Sequence, residues 1–244
     1  MNKNRRILLS VPVDIWQPEE FMSLIDKSLQ DHGVKTLFAV NPEKIMRARK
    51  DPQLLLALKE SDFLIPDGIG TVIALRLFYG EKIYRTKGIG LMSYLLKLAA
   101  EKKYSVFIFG ARPFVNELAA KNILKQYPKL NLVGTQHGYI SIPEYESLIE
   151  NINSLGTDIL FVGLGSPRQE KWIYQHKKFL KVKICMGVGG SLDVRAGTIP
   201  GAPLWLQALG LEWLFRLVRE PSRFKRHLAL PNFVFTVLRK KFLS

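Results

Sequence analysis

The chain is short of cysteine, of acidic side chains and of long apolar runs, and each shortage excludes something. Its 244 residues include one cysteine, Cys185, so no intrachain disulfide forms and no oxidising compartment is needed. No apolar run approaches the ~20 residues needed to cross a hydrocarbon core. The N-terminal stretch from Ile7 to Val13 is interrupted by Ser10 and Pro12 and does not read as a secretory signal. A cytoplasmic chain without a spanning helix is the expectation. His32, His137, His176 and His227 are scattered, and no histidine or cysteine pair has zinc-ligand spacing. No Asp-x-Asp pair is present to hold a divalent ion against a diphosphate, and neither GxGxxG nor a Walker A sequence announces a dinucleotide or P-loop site.

What is present is basic. Lys and Arg outnumber Asp and Glu by 36 to 21, a formal charge of +15, which suits a polyanionic partner: nucleic acid, anionic lipid or a phosphate-bearing substrate. Residues 212–244 alone carry eight basic side chains against two acidic ones. No nucleic-acid module is recognisable, and the basic tail is interleaved with Trp, Leu and Phe, so a nucleic-acid-binding protein ranks well below the other readings. With 47% hydrophobic and 23% charged residues the composition is that of a globular protein, one large domain or a domain with an appendage.

Short apolar runs alternate with segments of helical period. Strands are expected at Lys35 to Val40, Phe63 to Pro66, Ser105 to Phe109, Asn131 to Gly134, Asp158 to Gly163 and Lys183 to Val188. Helices are expected at Pro42 to Lys59, Ile89 to Lys103, Pro113 to Tyr127, Ile142 to Leu155 and Gln169 to Leu180. This alternation predicts an α/β fold, a Rossmann-like, largely parallel sheet flanked by helices. Breakers in Gly197 to Pro203 place a boundary near residue 200. The core is expected over residues 1–200 and a helical basic appendage over 201–244. There, Leu204 to Arg219 reads as a helix, Pro221 suits the first turn of the next, and Leu228 to Leu243 mixes apolar and basic residues. That last segment either packs on the core or lies on a membrane.

Several strand ends run into glycine, at Gly110, at Gly163 and Gly165, and at Gly189 and Gly190, where backbone can approach a phosphate or sugar. Asp67, after a buried-looking strand, is either a general base or a helix cap. Asn41, before Pro42, offers a donor and an acceptor to a ligand, or caps a helix. Arg168 and Gln169 open a helix beside the Gly163 to Gly165 turn. Arg216, Arg223 and Arg226 are spaced to converge on one anion if their helices meet.

The segments VNPEKIM, IPDGIGTV, VGTQHGYI, GLGSPRQEKW, MGVGGSLDVRAG and LGLEWLFRLVREPSRFKRHLALP resemble, in order and spacing, the WecG/TagA/CpsF family of bacterial glycosyltransferases over nearly the whole chain. The resemblance implies inverting transfer, without metal or cofactor, from a UDP-sugar to a polyprenyl-diphosphate-linked GlcNAc acceptor in surface-polymer synthesis. The donor it implies is N-acetylmannosamine or its uronic acid, with a UDP-hexose as the alternative. It implies Asp67 as general base, Asn41, Arg85 and Gln169 in the sugar and nucleotide pocket, and Arg216, Arg223 and Arg226 closing over the diphosphate. It also implies peripheral attachment to the inner leaflet of the cytoplasmic membrane, and it leaves room for a homo-oligomer. Two departures bear on the donor: Ala39 stands where some members have Thr, and Gly88-Ile89-Gly90 lacks a carboxylate that many members carry there.

Overall fold

The computed structural model describes residues 4–31, 33–203, 206, 214–215 and 229–242. The chain begins with an antiparallel hairpin of β1 (Arg5–Leu8) and β2 (Val11–Asp14), which the interrupted apolar pattern did not reveal. Its two-residue turn, Leu9-Ser10, has positive φ at both positions, as the twist of a tight hairpin demands. The hairpin is tied to the main sheet by charge. Arg5 donates to both oxygens of the fully buried Asp14 at 2.7 and 2.9 Å, and Asp14 accepts from the Leu64 backbone N–H at 2.8 Å.

Helix α1 (Pro18–Ser28) leads to a sheet of six parallel strands: β3 (Lys35–Val40), β4 (Phe63–Pro66), β5 (Ser105–Gly110), β6 (Asn131–Gln136), β7 (Ile159–Gly163) and β8 (Ile184–Gly187). Their spatial order is β4-β3-β8-β7-β5-β6. The α/β, Rossmann-like expectation holds, because strands buried on both faces read as continuous apolar runs. Alternate side chains feed two cores. Leu37, Val106, Ile108, Ile159, Phe161 and Met186 point to one side, and Phe38, Phe107, Phe109, Leu160, Val162 and Cys185 to the other.

The first core is covered by α1, α5 (Gly88–Lys102), α6 (Pro113–Gln126) and α9 (Ser191–Ala196). The second is covered by the hairpin, α2 (Pro42–Ala48), α3 (Pro52–Lys59), α4 (Ile69–Tyr79), α7 (Glu144–Ser154), α8 (Arg168–His176) and α10 (Ala229–Phe242). The single helix expected over Pro42 to Lys59 is two helices. Asp51 caps the second by accepting from Leu54 N–H at 3.1 Å, and Pro52, which cannot donate to the preceding turn, starts it. The helix expected over Leu204 to Arg219 and the start at Pro221 lie almost wholly outside the described residues.

Helix α10 packs on α2 and α4 through Phe233 and Val237, both buried. Its other face presents Val234, Phe235, Leu238 and Phe242 to solvent, beside Arg239, Lys240 and Lys241. Core packing and an outward apolar face therefore coexist on one helix. Among the described residues no helix is long and apolar enough to cross a membrane.

Candidate active site

Parallel strands bring their C-terminal ends to one edge, and here the ends of β3, β4, β5, β7 and β8 surround a cleft of about 510 Å³. The walls are made by the glycine turns. At the β5 end Gly110 has φ +130°, and a Cβ there would stand 2.5 Å from the Gly163 backbone. At the β7 end a Cβ on Gly163 would meet Leu192 at 2.4 Å. No larger residue fits either position without moving backbone or core.

On the β4 side, Val40 pairs with Pro66 in the parallel register, so Asn41 and Asp67 follow at the ends of neighbouring strands. Asp67 N–H donates to Val40 O at 2.9 Å, which pins the turn. Asp67 does not cap α4: Gly68, with φ +79°, holds the N-cap position, and no side chain caps that helix. The Asp67 carboxylate lines the cleft instead. Its Oδ1 accepts from Gly68 N–H at 2.8 Å, and its Oδ2 faces the Gly88 N–H at 3.5 Å, in the first turn of α5. Asn41 caps a helix and also faces the cleft. Its Oδ1 caps α2 by accepting from Lys44 N–H at 2.8 Å, and the residue also lines the cleft.

On the β7 and β8 side, Gln169 and Glu170 stand in the first turn of α8 and are buried. Gln169 Oε1 accepts from Gly189 N–H at 2.9 Å, and its Nε2 donates to Glu170 Oε1 at 2.9 Å. Lys44 Nζ lies 2.6 Å from the same Glu170 oxygen. Burial alone would raise the Glu170 pKa, but the charge and hydrogen bond of Lys44 and the Gln169 amide outweigh it and hold the carboxyl below its ordinary range. Arg47 fixes the adjoining turn by donating to Ser166 O at 2.7 Å.

The cleft thus gathers Asn41, Asp67, Gly163, Gly165, Gln169, Gly189 and Gly190, together with Arg168. Arg85 is not in its lining; it lies between α4 and α5, two residues before Lys87, which is. Arg216, Arg223 and Arg226 lie outside the described residues. Sequence reasoning missed Lys44, Lys87, Arg112 and Asp193 in the lining, and Glu170 behind it. Lys44 had a faint signal, since the fourth residue of Asn-Pro-Glu-Lys falls on the first turn of a capped helix. Among the described residues no group of three or more His, Cys, Asp or Glu side chains is placed to hold a metal ion. Asp67, with Glu43 and Asp193 elsewhere in the lining, can accept a proton, and glycine backbone with Lys44, Lys87, Arg112 and Arg168 can hold an anion.

Known proteins resemble this chain over most of its length. The model of the glycosyl transferase WecG/TagA/CpsF family matches residues 6–244. The N-acetylglucosaminyldiphosphoundecaprenol N-acetyl-beta-D-mannosaminyltransferase of Bacillus subtilis (strain 168) is 33% identical over 222 residues, covering 91% of this chain and 86% of its own.

Proposed function

Because the chain belongs to the WecG/TagA/CpsF family, and is therefore a glycosyltransferase, we propose that it moves N-acetylmannosamine or its uronic acid from UDP to a polyprenyl-diphosphate-linked GlcNAc. The observation that carries this reading is the division of the cleft. Asp67 stands on the β4 side facing Gly88, next to Lys87, and the glycine turns of β7 and β8, with Arg168 and Asp193, form the opposite side. Asp67 takes the proton from an acceptor hydroxyl, the oxygen attacks the anomeric carbon, and UDP leaves from the opposite face, so that configuration inverts. The diphosphate charge that develops on departure is met by backbone N–H groups and by basic side chains, with no metal called on.

In this reading residues 201–244 form an appendage that brings Arg216, Arg223 and Arg226 over the diphosphate. Helix α10 seats the protein on the inner leaflet. Support comes from its exposed Val234, Phe235, Leu238 and Phe242 beside three basic residues, the composition of an interfacial helix.

The test is UDP release in chelator-treated buffer, with a panel of UDP-sugars and a short-chain prenyl-diphosphate-GlcNAc acceptor. Acceptor-dependent release with UDP-N-acetylmannosamine or its uronic acid is expected. Release only with a UDP-hexose would overturn the donor, and release only after metal is restored would overturn metal independence.

A further inference from the structure

A single hydrogen-bonded line crosses the floor of the cleft. It runs from Asn41 Oδ1 to Lys44 N–H, along the Lys44 side chain to Glu170 Oε1, from there to Gln169 Nε2, and from Gln169 Oε1 to Gly189 N–H. Its two charged members are almost completely buried, with side chains 7% and 0% exposed. Burying an ion pair gains little stability over an apolar pair of the same shape, so fold stability alone does not account for one here. Its geometry does something an apolar pair cannot. An ionised carboxylate only accepts, so Glu170 forces Gln169 to turn its NH₂ inward and its oxygen toward Gly189. The sheet is built around that amide, since a Cβ on Gly187 would stand 2.8 Å from Gln169 Nε2. Glu170 Oε1 receives both Lys44 Nζ and Gln169 Nε2, so it is the oxygen that organises the line.

We propose that Lys44 and Glu170 are positioning residues for nucleotide binding. By keeping Glu170 an acceptor, Lys44 sets the Gln169 amide, and the amide holds the Gly189 turn in the shape that receives the donor's nucleotide. The nucleotide part rests on the function proposed above; the effect on Gly189 does not.

The experiment compares the full-length protein with the charge-neutral double variant Lys44→Met/Glu170→Gln, which leaves no unpaired buried charge, each with and without Gln169→Ala. Amide exchange by NMR reads the Gly189 turn, and calorimetric titration with UDP reads the site. Loss of one well-placed hydrogen bond corresponds to about tenfold in either equilibrium. The expected result is Gly189 exchange about tenfold faster, with exchange in the β3 and β7 cores unchanged, and a UDP Kd about tenfold higher. Adding Gln169→Ala to the double variant should then change either value by less than about twofold, because the amide has already lost its setting. Wild-type Gly189 protection and UDP affinity in the double variant would overturn the proposal. So would exchange that accelerates evenly through the sheet, or a Gln169→Ala effect that adds in full. Wild-type protein that binds no UDP would overturn the nucleotide reading, while the exchange data alone would still decide whether the line sets Gly189.

Discussion

Replacing Asp67 by Asn removes a proton acceptor while keeping the size and shape of the side chain. The Oδ1 bond from Gly68 N–H at 2.8 Å can be kept by the amide oxygen, which leaves the new NH₂ facing the Gly88 N–H across 3.5 Å. That contact is already long, so losing it costs about 1 kcal/mol, worth about 2–4 °C in Tm for a chain of this size. General-base catalysis commonly contributes about 10²–10⁴-fold, or about 3–5 kcal/mol of barrier. Asp67→Asn should therefore lower kcat for acceptor-dependent UDP release by at least about a hundredfold. Tm should fall by no more than about 4 °C, and the Kd for UDP should stay within about threefold, since UDP lacks the proton that Asp67 takes. Stopped assays of UDP release, thermal unfolding and UDP titration on one preparation check all three. A folded variant with kcat within fivefold of wild type would refute the assignment. A variant that loses UDP binding in proportion to its activity would place Asp67 in donor binding instead.

Two further outcomes follow from charge and exposure. The Glu170 carboxyl titrates below its ordinary value in the folded chain. Its stabilisation is thus fully present above an unfolded pKa of about 4.3 and is lost as pH falls through the lower native value. In urea melts across pH 3 to 7, the stability gap between wild type and Glu170→Gln should be constant above about pH 5 and shrink below about pH 4.3; a gap that grows on acidification would contradict the ion-pair reading. On α10, Phe235 and Phe242 are 65% and 67% exposed, so Phe235→Ser/Phe242→Ser should leave Tm unchanged. Burial of a Phe side chain is worth about 1.5–3 kcal/mol, so cosedimentation with anionic vesicles should weaken at least about tenfold, and unchanged binding would remove α10 from the membrane contact.

The parallel sheet was legible because its strands are buried on both faces and write their positions as uninterrupted apolar runs. Lys35–Val40 and Phe63–Pro66 were read to the residue for that reason. The glycines at strand ends stood out in the sequence, and at Gly110 and Gly163 the reason shown is that neighbouring backbone and core leave no room for a Cβ. The hairpin was hidden because its stabilising pair, Arg5 and Asp14, looks in a sequence like two solvated charges. Only the fold makes it a buried bidentate contact that also caps Leu64 N–H. Lys44 and Glu170 were hidden in the same way: they are 126 positions apart, and nothing local says that either is buried. The capping reading of Asp67 stayed open until Gly68 was seen to take the N-cap position.

The placement of α10 bears on how two substrates of opposite character meet. Asn41 and Asp67 sit on the turns that lead into α2 and α4, and those are the helices on which α10 rests. The contact is close at the turn itself, where a Cβ on Gly70 would stand 2.9 Å from Pro42 and 3.8 Å from Phe233. The glycine turns after β7 and β8 lead instead into α8 and α9. On the proposed reading, a protein seated through α10 holds its base toward the leaflet that carries the lipid-linked acceptor. Its nucleotide side is built on the β7 and β8 turns, where a water-soluble donor enters. In that reading the base is anchored to the element that sets its distance from the membrane, and the acceptor hydroxyl reaches the anomeric carbon on the face opposite the departing UDP, as inversion requires.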